Sequence, residues 1–384
     1  MTERKLRLLL LSVGSLLSQR FIDALGARRA GCVLIGTNSV AEAAGNFRCD
    51  TAYLVPPAAA AEAYIERLAE LIRDEHPDLV IPCRDDDVLA LAILGERLTH
   101  GDAVLLTGTV AAARIMNDKL ETARFAARHG LPFAPTAQSA REALELAEAH
   151  GLPLIGKPRC GYGSRGVVLL RSIEEIERAF ASRADLIAQP FLDPPADMEA
   201  LIAPFEAGLP FFYSFPEAGT HALQVIIGPD GAISNPFGTV SAQVAGAAID
   251  SRRCDDPELL EVGRAYGRAA AAEGWKGPLN VQLKHTPAGR FVAFELNGRF
   301  TGTMGERVFM GSDEIAKVVG LFLAGKGFPA ISVSEADFVQ RYPGSYPVPR
   351  AGVVALQTVG RWSRDDIHTT TASVGPSLDT PVKP

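Results

Sequence analysis

The stretch Phe294-Glu295-Leu296-Asn297-Gly298-Arg299-Phe300 alternates apolar and polar residues in the C-terminal third of this 384-residue chain. Alternate residues of a β-strand project from the same face of the sheet. The pattern therefore predicts a strand on which Glu295, Asn297 and Arg299 share one face. The alternative is an ordinary half-buried strand whose polar face only meets solvent.

A second segment, Asn280-Val281-Gln282-Leu283-Lys284, fits as the hairpin partner of this strand. A turn centred on Ala288-Gly289 would place Gln282 directly opposite Glu295, because the position of the turn fixes the cross-strand neighbours. The polar face then gains a further neutral oxygen from Gln282. This register is a specific prediction of the sequence.

The side chains on this predicted face suit a magnesium-bound polyphosphate. The carboxylate of Glu295 and the amide oxygens of Asn297 and Gln282 are the hard oxygen ligands that Mg²⁺ prefers. The guanidinium of Arg299 can bind phosphate oxygens with parallel hydrogen bonds or stabilise a developing negative charge. The hairpin therefore predicts a metal–phosphate site.

Composition is that of an ordinary globular protein and argues against one class of partner. Hydrophobic residues make up 47% of the sequence and charged residues 22%. The formal net charge of -7 argues against nucleic acid as the main partner. The five cysteines form no C-x-x-C pair, which is typical of reduced thiols in a cytoplasmic protein.

The apolar run Leu8–Leu11 is too short to span a membrane and predicts a buried parallel strand, so we expect no membrane partner.

Residues 6–110 alternate strand-like apolar runs with helical patterns. The predicted strands are Leu6–Val13, Gly31–Gly36, Leu79–Pro82 and Ala103–Leu106, and the predicted helices are Gln19–Ala27, Ala60–Asp74 and Asp86–Arg97. This order predicts a parallel sheet with helices on both faces. A dinucleotide-binding fingerprint needs several glycines after the first strand, and Gly14 is the one glycine there, so the sequence does not support a dinucleotide site. The acidic run Asp85–Asp87 is interpreted as a loop that caps a helix beginning at Val88.

Further along the chain, a lysine at a strand end precedes a glycine-rich turn. The predicted strand Pro153–Pro158 carries Lys157 and leads into Cys160-Gly161-Tyr162-Gly163-Ser164-Arg165-Gly166, after which the strand Val167–Leu170 is predicted. Glycines let backbone N–H groups approach an anion closely, while the lysine supplies positive charge. Because a strand follows and the spacing is not that of a P-loop, the segment predicts a β-hairpin flap over phosphates. Arg165 within this flap either reaches a phosphate or faces solvent.

A second lysine, Lys119, stands at the head of a predicted helix, and a predicted strand over Ile187–Leu192 follows the flap. Two lysines, a glycine-rich flap, this strand and the Glu295 hairpin occur in an order that resembles the ATP-grasp superfamily. The resemblance is to its carbamoyl-phosphate-synthase-like and D-alanine–D-alanine-ligase-like branches. It covers residues 1–330.

The resemblance implies a role for each motif. Asp118-Lys119 and Lys157 resemble the two ATP lysines of the superfamily, Gln189–Leu192 resembles the hinge at adenine, and Phe294–Phe300 resembles its E-[IL]-N-P-R-F signature. The implied nucleotide-binding residues are Lys119, Lys157, Gly161, Gly163, Ser164, Gly166, Gln189, Pro190, Phe191, Leu192 and Asp197. The implied metal ligands are Gln282, Glu295 and Asn297, and the implied catalytic residues are Arg299 and Arg165.

The resemblance also implies the architecture. We expect an N-terminal Rossmann-like parallel α/β domain followed by a two-subdomain α+β ATP-grasp module. The expected divisions are residues 1–112 for the first domain, 113–190 for the subdomain with the lysines and flap, and 191–330 for the subdomain with the metal site. Residues 331–384 would form a C-terminal extension with a mobile end.

The activity implied by the resemblance is that of an ADP-forming ligase. A carboxylate attacks the γ-phosphate of ATP, and an amine or thiol then displaces phosphate from the acylphosphate. The cofactors would be ATP and Mg²⁺, with Mn²⁺ as an alternative, and the partners would be a small carboxylate and an amine, in a cytoplasmic homodimer. Two alternatives stay open: a kinase or carboxylating enzyme with this fold, and a non-catalytic nucleotide-binding protein.

Three features depart from the pattern of the superfamily. Gly298 stands where proline is usual. Pro190 stands where many relatives carry an acidic residue, so the contact to adenine must come from backbone groups, Asp197 or Glu199. The stretch 184–251 contains no arginine or lysine. It offers uncharged side chains instead, which favours a less anionic acceptor; these are Phe211, Phe212, Tyr213, His221 and Gln224.

Overall fold

The computed structural model describes residues 4–98, 103–161, 163–208, 217–244, 247–326, 328–329, 336–341 and 344–365. Its N-terminal part is the β-α-β unit that the sequence predicts. The elements are β1 (Leu6–Leu10), α1 (Leu16–Leu25), β2 (Cys32–Asn38), β3 (Thr51–Leu54), α2 (Ala61–Glu75), β4 (Leu79–Ile81), α3 (Asp85–Arg97) and β5 (Val104–Leu105). All neighbouring pairs among these five strands are parallel, in the order β3-β2-β1-β4-β5.

Helices cover both faces of this sheet, as predicted. Side chains of β1 alternate between two cores: Leu8 packs in the cluster that contains Phe21 of α1, and Leu9 packs in the cluster that contains Leu68 of α2. The leucine run is thus a fully buried parallel strand. The sequence prediction missed β3, a four-residue strand with a weak apolar pattern.

The next segment carries both lysines. It comprises α4 (Val110–Asn117), α5 (Lys119–Arg128), α6 (Ala140–His150), β6 (Leu154–Pro158), β7 (Val168–Leu170), α7 (Ile173–Ser182) and β8 (Leu186–Pro190). The three strands form an antiparallel sheet in the order β7-β6-β8. Ser172 caps α7 by accepting a hydrogen bond from the backbone N–H of Glu175 at 3.2 Å.

A larger antiparallel sheet follows. Its elements are α8 (Met198–Glu206), β9 (Glu217–Ile227), β10 (Phe237–Val244), β11 (Ala247–Ala248), β12 (Asp250–Arg253), α9 (Pro257–Ala272), β13 (Gly277–His285), β14 (Phe291–Asn297), α10 (Met304–Phe309), α11 (Glu314–Phe322) and β15 (Phe338–Gln340). The strand order is β14-β13-β9-β10-β12-β15, and β11 pairs with β10. The parallel α/β sheet and the later sheets with helices that the sequence predicts are therefore present.

The hairpin β13–β14 has the predicted register, with Gln282 opposite Glu295. Immediately beyond this pair the register shifts, because Leu283 pairs with Ala293 and leaves Phe294 as an extra residue in β14. An extra residue of this kind disturbs the strict alternation of a strand. Phe294 and Glu295 consequently both line the same cavity.

The C-terminal segment returns to the first sheet. Helix α12 (Arg350–Val359) leads into β16 (Arg361–Ser363), which pairs antiparallel with β3 at the sheet edge. Trp362 packs edge-on against Phe47 with ring centroids 5.2 Å apart. The tail predicted to be mobile lies outside the described residues. Among the helices of the described ranges, none combines the length and the apolar character needed to cross a bilayer.

Candidate active site

A cavity of about 1250 Å³ lies where the first domain meets the two later sheets. Loops after β1, β2 and β4 form one side, which is the carboxyl edge where ligands bind parallel sheets. Fourteen of the sixteen predicted site residues line it: Lys119, Lys157, Gly161, Gly163, Ser164, Arg165, Gln189, Pro190, Phe191, Leu192, Gln282, Glu295, Asn297 and Arg299. Gly166 and Asp197 are the two that do not line this cavity.

Lys157 is a buried cation with little negative charge nearby to balance it. Its ammonium group donates a hydrogen bond to the backbone oxygen of Phe294 at 3.1 Å and lies 5.1 Å from the centroid of the Phe294 ring. Burial lowers the pKa of Lys157 to about 7, Glu295 opposes this shift, and the nearby Lys119 adds to it. An anion bound here would restore the charge of the lysine.

Lys119 occupies the first turn of α5 and points into the same space. Its ammonium group donates to the backbone oxygen of Gly161 at 3.1 Å and lies 3.5 Å from Glu295 Oε1. Asp118 holds this arrangement, since its carboxylate accepts from the N–H of Leu120 and from Arg159 Nε at 3.0 Å. The Asp118 side chain thereby ties the helix that carries one lysine to the end of the strand that carries the other.

The glycine-rich flap requires backbone conformations that favour glycine. Gly163 and Gly166 have φ values of 62° and 74°, and Ser164 between them has a φ of 55°. The carbonyl of Gly166 accepts a hydrogen bond from Arg183 at 2.7 Å, so this residue anchors the flap on its outer side. Arg165 lines the cavity, whereas Tyr162 lies outside the described residues.

Arg299 lies just beyond the end of β14 and is held by an aspartate from the first domain. The guanidinium makes two 2.8 Å hydrogen bonds to Asp85 and a third, of 3.0 Å, to Asn297 Oδ1. Burial opposes the charge of Arg299, but Asp85 outweighs burial and keeps its pKa above the ordinary value. The interpretation of Asp85–Asp87 as a capping loop was wrong: the three residues form the first turn of α3.

Gly298 has a packing reason to differ from the proline of the superfamily signature. A Cβ atom at this position would lie 2.6 Å from the ring of Trp275 and 2.9 Å from Met116 Cγ. Trp275 is fully buried, so its ring cannot move aside. Only glycine fits against it.

The hairpin carries oxygen donors for a metal ion but only one carboxylate. No group of three or more acidic, histidine or cysteine side chains suited to a metal occurs among the described residues. Glu295 faces the cavity with Gln282 opposite, and the Asn297 oxygen, although hydrogen-bonded to Arg299, keeps a second lone pair. The Asn297 Nδ2 atom is buried without a partner in the described structure. This donor set fits Mg²⁺ whose remaining ligands are phosphate oxygens.

At the opposite wall, the predicted hinge lines the cavity. The side-chain amide of Gln189 donates to Thr136 Oγ1 at 2.9 Å, which fixes its orientation. Asp197 instead caps α8 by accepting from the N–H of Ala200 at 2.8 Å. The carboxylate that lines the cavity near the hinge is Asp193, which pairs with Lys284 at 2.9 Å. Burial raises the pKa of Asp193, and Lys284 opposes that shift.

Sequence reasoning missed Asp85, Asp193 and the ring of Phe294. Asp85 follows β4 at the carboxyl edge of the parallel sheet, a position that could have marked it as a candidate. Of the residues proposed for the acceptor, His221 packs against Phe291 with ring centroids 5.1 Å apart and is not a lining residue of the cavity. Three others lie outside the described residues: Phe211, Phe212 and Tyr213.

We expect Asp85→Asn to lower the free energy of unfolding by about 3 kcal/mol, because it leaves the buried Arg299 charge without its carboxylate. The matched control is Asp86→Asn, on the same turn, whose side chain is 51% exposed. That substitution is expected to change stability by less than about 0.5 kcal/mol. Urea unfolding of both variants measures the difference, and equal midpoints for the two would contradict the structural role of the Asp85–Arg299 pair.

Two lysines, a glycine-rich flap and the Glu295 hairpin lie around one cavity, and the chain has the fold of ATP-grasp structural neighbours. The biotin carboxylase domain dimer of Hydrogenobacter thermophilus 2-oxoglutarate carboxylase, solved with MgADP, ADP and bicarbonate, superposes with a TM-score of 0.61. It is 18% identical, over 88% of this chain and 73% of that chain. Staphylococcus aureus N5-carboxyaminoimidazole synthetase complexed with ADP gives a TM-score of 0.62 at 13% identity, over 85% and 79%.

Two curated relatives match parts of the sequence. A formate-dependent phosphoribosylglycinamide formyltransferase from Synechococcus sp. (strain RCC307) is 30% identical over 169 residues, or 41% of this chain and 39% of the relative. The alpha3 subunit of a biotin-dependent acyl-coenzyme A carboxylase from Mycobacterium leprae (strain TN) is 23% identical over 205 residues, 48% and 33% respectively. The chain thus spans well under half the length of these relatives. No protein-family model matches it.

Proposed function

We propose that this chain is an ADP-forming ligase that activates a small carboxylate as an acylphosphate for attack by an amine. The observation that carries the proposal is the pair of buried lysines that line one cavity with Glu295, Lys119 at 3.5 Å from its carboxylate and Lys157 under its electrostatic influence. Glu295 acts on both lysines, and a bound polyphosphate would supply further negative charge that favours the charged form of Lys157. The ATP-grasp fold supports this interpretation.

Each residue has a defined part in phosphoryl transfer. Lys119 and Lys157 neutralise phosphate oxygens, and the flap with Arg165 covers them. Glu295, with Gln282 and Asn297 as outer ligands, would hold Mg²⁺ or Mn²⁺. The metal, when bound, neutralises charge shared between neighbouring phosphates.

The reaction begins when a carboxylate oxygen attacks the γ-phosphorus of ATP. The new oxygen–phosphorus bond replaces the bond to the β–γ bridging oxygen, and ADP leaves with that electron pair. The amine nitrogen then attacks the acyl carbon, phosphate departs, and the nitrogen loses a proton. Asp85 holds Arg299 in place, and the positive guanidinium of Arg299 stabilises the negative charge that builds up on the phosphoryl group during transfer.

One-carbon acids are the first carboxylates to test. The relatives and neighbours are described as formate-dependent, as carboxylases, or as bound to bicarbonate. With bicarbonate as the carboxylate, the same chemistry makes the protein a carboxylating enzyme, which is the second candidate function. We also propose that the protein is cytoplasmic and forms a homodimer. Its five free cysteines support the cytoplasmic location, and the dimeric biotin carboxylase domain among its structural neighbours supports the homodimer.

A coupled assay of ADP and phosphate release tests the proposal. Formate, bicarbonate and acetate are supplied as carboxylates, each with and without ammonia or a primary amine. Free phosphate that appears only with both a carboxylate and an amine supports ligation. A stable phosphorylated product indicates a kinase instead, and nucleotide binding without any carboxylate-dependent ADP release contradicts an enzymatic role with these acids.

A further inference from the structure

Beyond Arg299, one guanidinium group at the cavity wall and one buried behind it each pair with a carboxylate. Arg307, which is fully buried, pairs with Glu314, and Arg341, at the cavity wall, pairs with Glu306 at 2.5 Å. The second oxygen of Glu306 has no partner in the described part of the chain. This end therefore offers little net charge to a ligand, in contrast to the lysine end.

Two threonine hydroxyls stand at this end, and Arg307 holds both. Its Nη1 donates to Thr303 Oγ1 at 2.5 Å, and its Nη2 donates to Thr301 Oγ1 at 2.9 Å. The same guanidinium donates to Gln224 Oε1 at 3.1 Å. Thr301 and Thr303 both line the cavity, whereas Arg307 lies behind them.

The two threonine hydroxyls carry two O–H protons, and their hydrogen-bond network uses one of them. Each Oγ1 already accepts from Arg307, and the two oxygens lie 3.0 Å apart, so one hydroxyl donates to the other. The second O–H proton is left without an acceptor in this network. Thr301 is only 8% exposed and Thr303 is more exposed. Either hydroxyl can donate to the other, and when Thr301 donates, the remaining proton is on the more exposed Thr303.

The position of Thr303 in the chain gives independent support. It precedes α10 at the N-cap, where a threonine side chain ordinarily accepts a hydrogen bond from the helix backbone, yet it makes no such bond. Its hydroxyl is turned to Arg307 and Thr301 instead. The Nε2 of Gln224, in the same network, is a second buried donor with no partner among the described residues. Of these surplus donors, the Thr303 hydroxyl lines the cavity, where an acyl oxygen would satisfy it.

We propose that the Thr303 hydroxyl donates a hydrogen bond to the acyl oxygen of the substrate and of its acylphosphate, with Arg307 as the positioning residue behind it. The inference rests on the proposed function and adds the group that selects the carboxylate. Because this donor is neutral and the flanking guanidinium groups are paired, the site selects a small monocarboxylate rather than a polyanion. The site then selects its carboxylate through the position of the Thr303 hydroxyl more than through charge.

The reverse reaction tests this without knowledge of the natural substrate. Acetyl phosphate and MgADP are supplied, and ATP is measured as the phosphoryl group passes to ADP and acetate is released. Thr303→Val keeps the shape of the side chain but removes the hydroxyl. We expect it to raise the KM for acetyl phosphate about tenfold while the KM for ADP changes less than about twofold, and Thr303→Ser to restore the wild-type value.

Arg307→Lys tests the positioning role. If Arg307 acts through Thr303, the double variant with Thr303→Val should have the same KM for acetyl phosphate as Thr303→Val alone. Thr358→Val, on the exposed face of α12, is the matched control and should leave both constants unchanged. The Thr303 variants suffice if Arg307→Lys does not fold.

Two failures are distinguishable. If wild-type protein makes ATP from acetyl phosphate and Thr303→Val leaves its KM unchanged, or shifts both constants together, this inference is wrong and the proposed function stands. If wild-type protein binds MgADP but makes no ATP from either acetyl phosphate or carbamoyl phosphate, the proposed function fails and this inference fails with it.

Discussion

Replacing Glu295 with glutamine should reduce carboxylate-dependent ADP release about a thousandfold or more. Glutamine keeps the size of the side chain but removes the carboxylate that pairs with Lys119 and that would hold the metal. The backbone pairing with Gln282 does not involve the carboxylate, so the fold should persist. Initial rates of ADP formation, measured together with far-ultraviolet circular dichroism, check both statements.

Glu261→Gln is the control for this substitution. Glu261 lies on the exposed side of α9 and pairs with Arg264 and Arg268 far from the cavity. Its replacement should leave the rate within about twofold, since exposed ion pairs contribute little. A Glu295→Gln protein that is folded and retains a tenth or more of wild-type activity would remove Glu295 from the mechanism.

Lys157→Met should have opposite effects on stability and on nucleotide binding. In the folded protein the pKa of Lys157 is about 7, whereas the ordinary value for a lysine is 10.5. Below pH 7 the buried charge opposes folding at full strength, and between pH 7 and 10.5 only the unfolded chain keeps the proton, so wild-type stability rises with pH across this window. The substitution should therefore stabilise the protein by about 2 kcal/mol below pH 7, after allowance for the lost hydrogen bond to Phe294.

The stabilisation should decrease as the pH rises from 7 to 10.5 and disappear above 10.5, where the lysine is neutral in both states. Affinity for MgADP should fall about a hundredfold, since a charge-assisted contact to phosphate is lost. Urea unfolding at pH 6, 8 and 10, together with calorimetric titration of MgADP, measures both effects. Lys276→Met, at an exposed position, is the control. A stability gain that is the same at every pH would contradict the account of Lys157.

The sequence predicted those parts of the site that depend on local periodicity. The pairing of Gln282 with Glu295 followed from strand alternation and a glycine-containing turn, and the order of lysines, flap and hairpin followed from the chain itself. The contact between Asp85 and Arg299 could not be predicted in this way, because 214 residues separate its partners. Only the tertiary packing of the first domain on the hairpin creates it.

The same limit applies to Gly298 and to the edge of the first sheet. Gly298 departs from the superfamily pattern because the Trp275 ring occupies the space of a side chain, and no local signal reveals that contact. Strand β16 is three residues long and gains its stability from pairing with β3 and from the packing of Trp362. Short strands of this kind depend on tertiary context more than on intrinsic propensity.

Positional isotope exchange in ATP tests the central claim most directly, namely that this site transfers the γ-phosphoryl group to a carboxylate. ATP with ¹⁸O in the β–γ bridge is incubated with Mg²⁺ and formate, bicarbonate or acetate, without an amine. Reversible transfer frees the β-phosphate of bound ADP to rotate, so the label should move to the non-bridging β positions. This movement should occur only when a carboxylate is present, and it should be absent in the Glu295→Gln variant. MgATP that binds but whose label stays in the bridge with every one of these carboxylates would contradict the account.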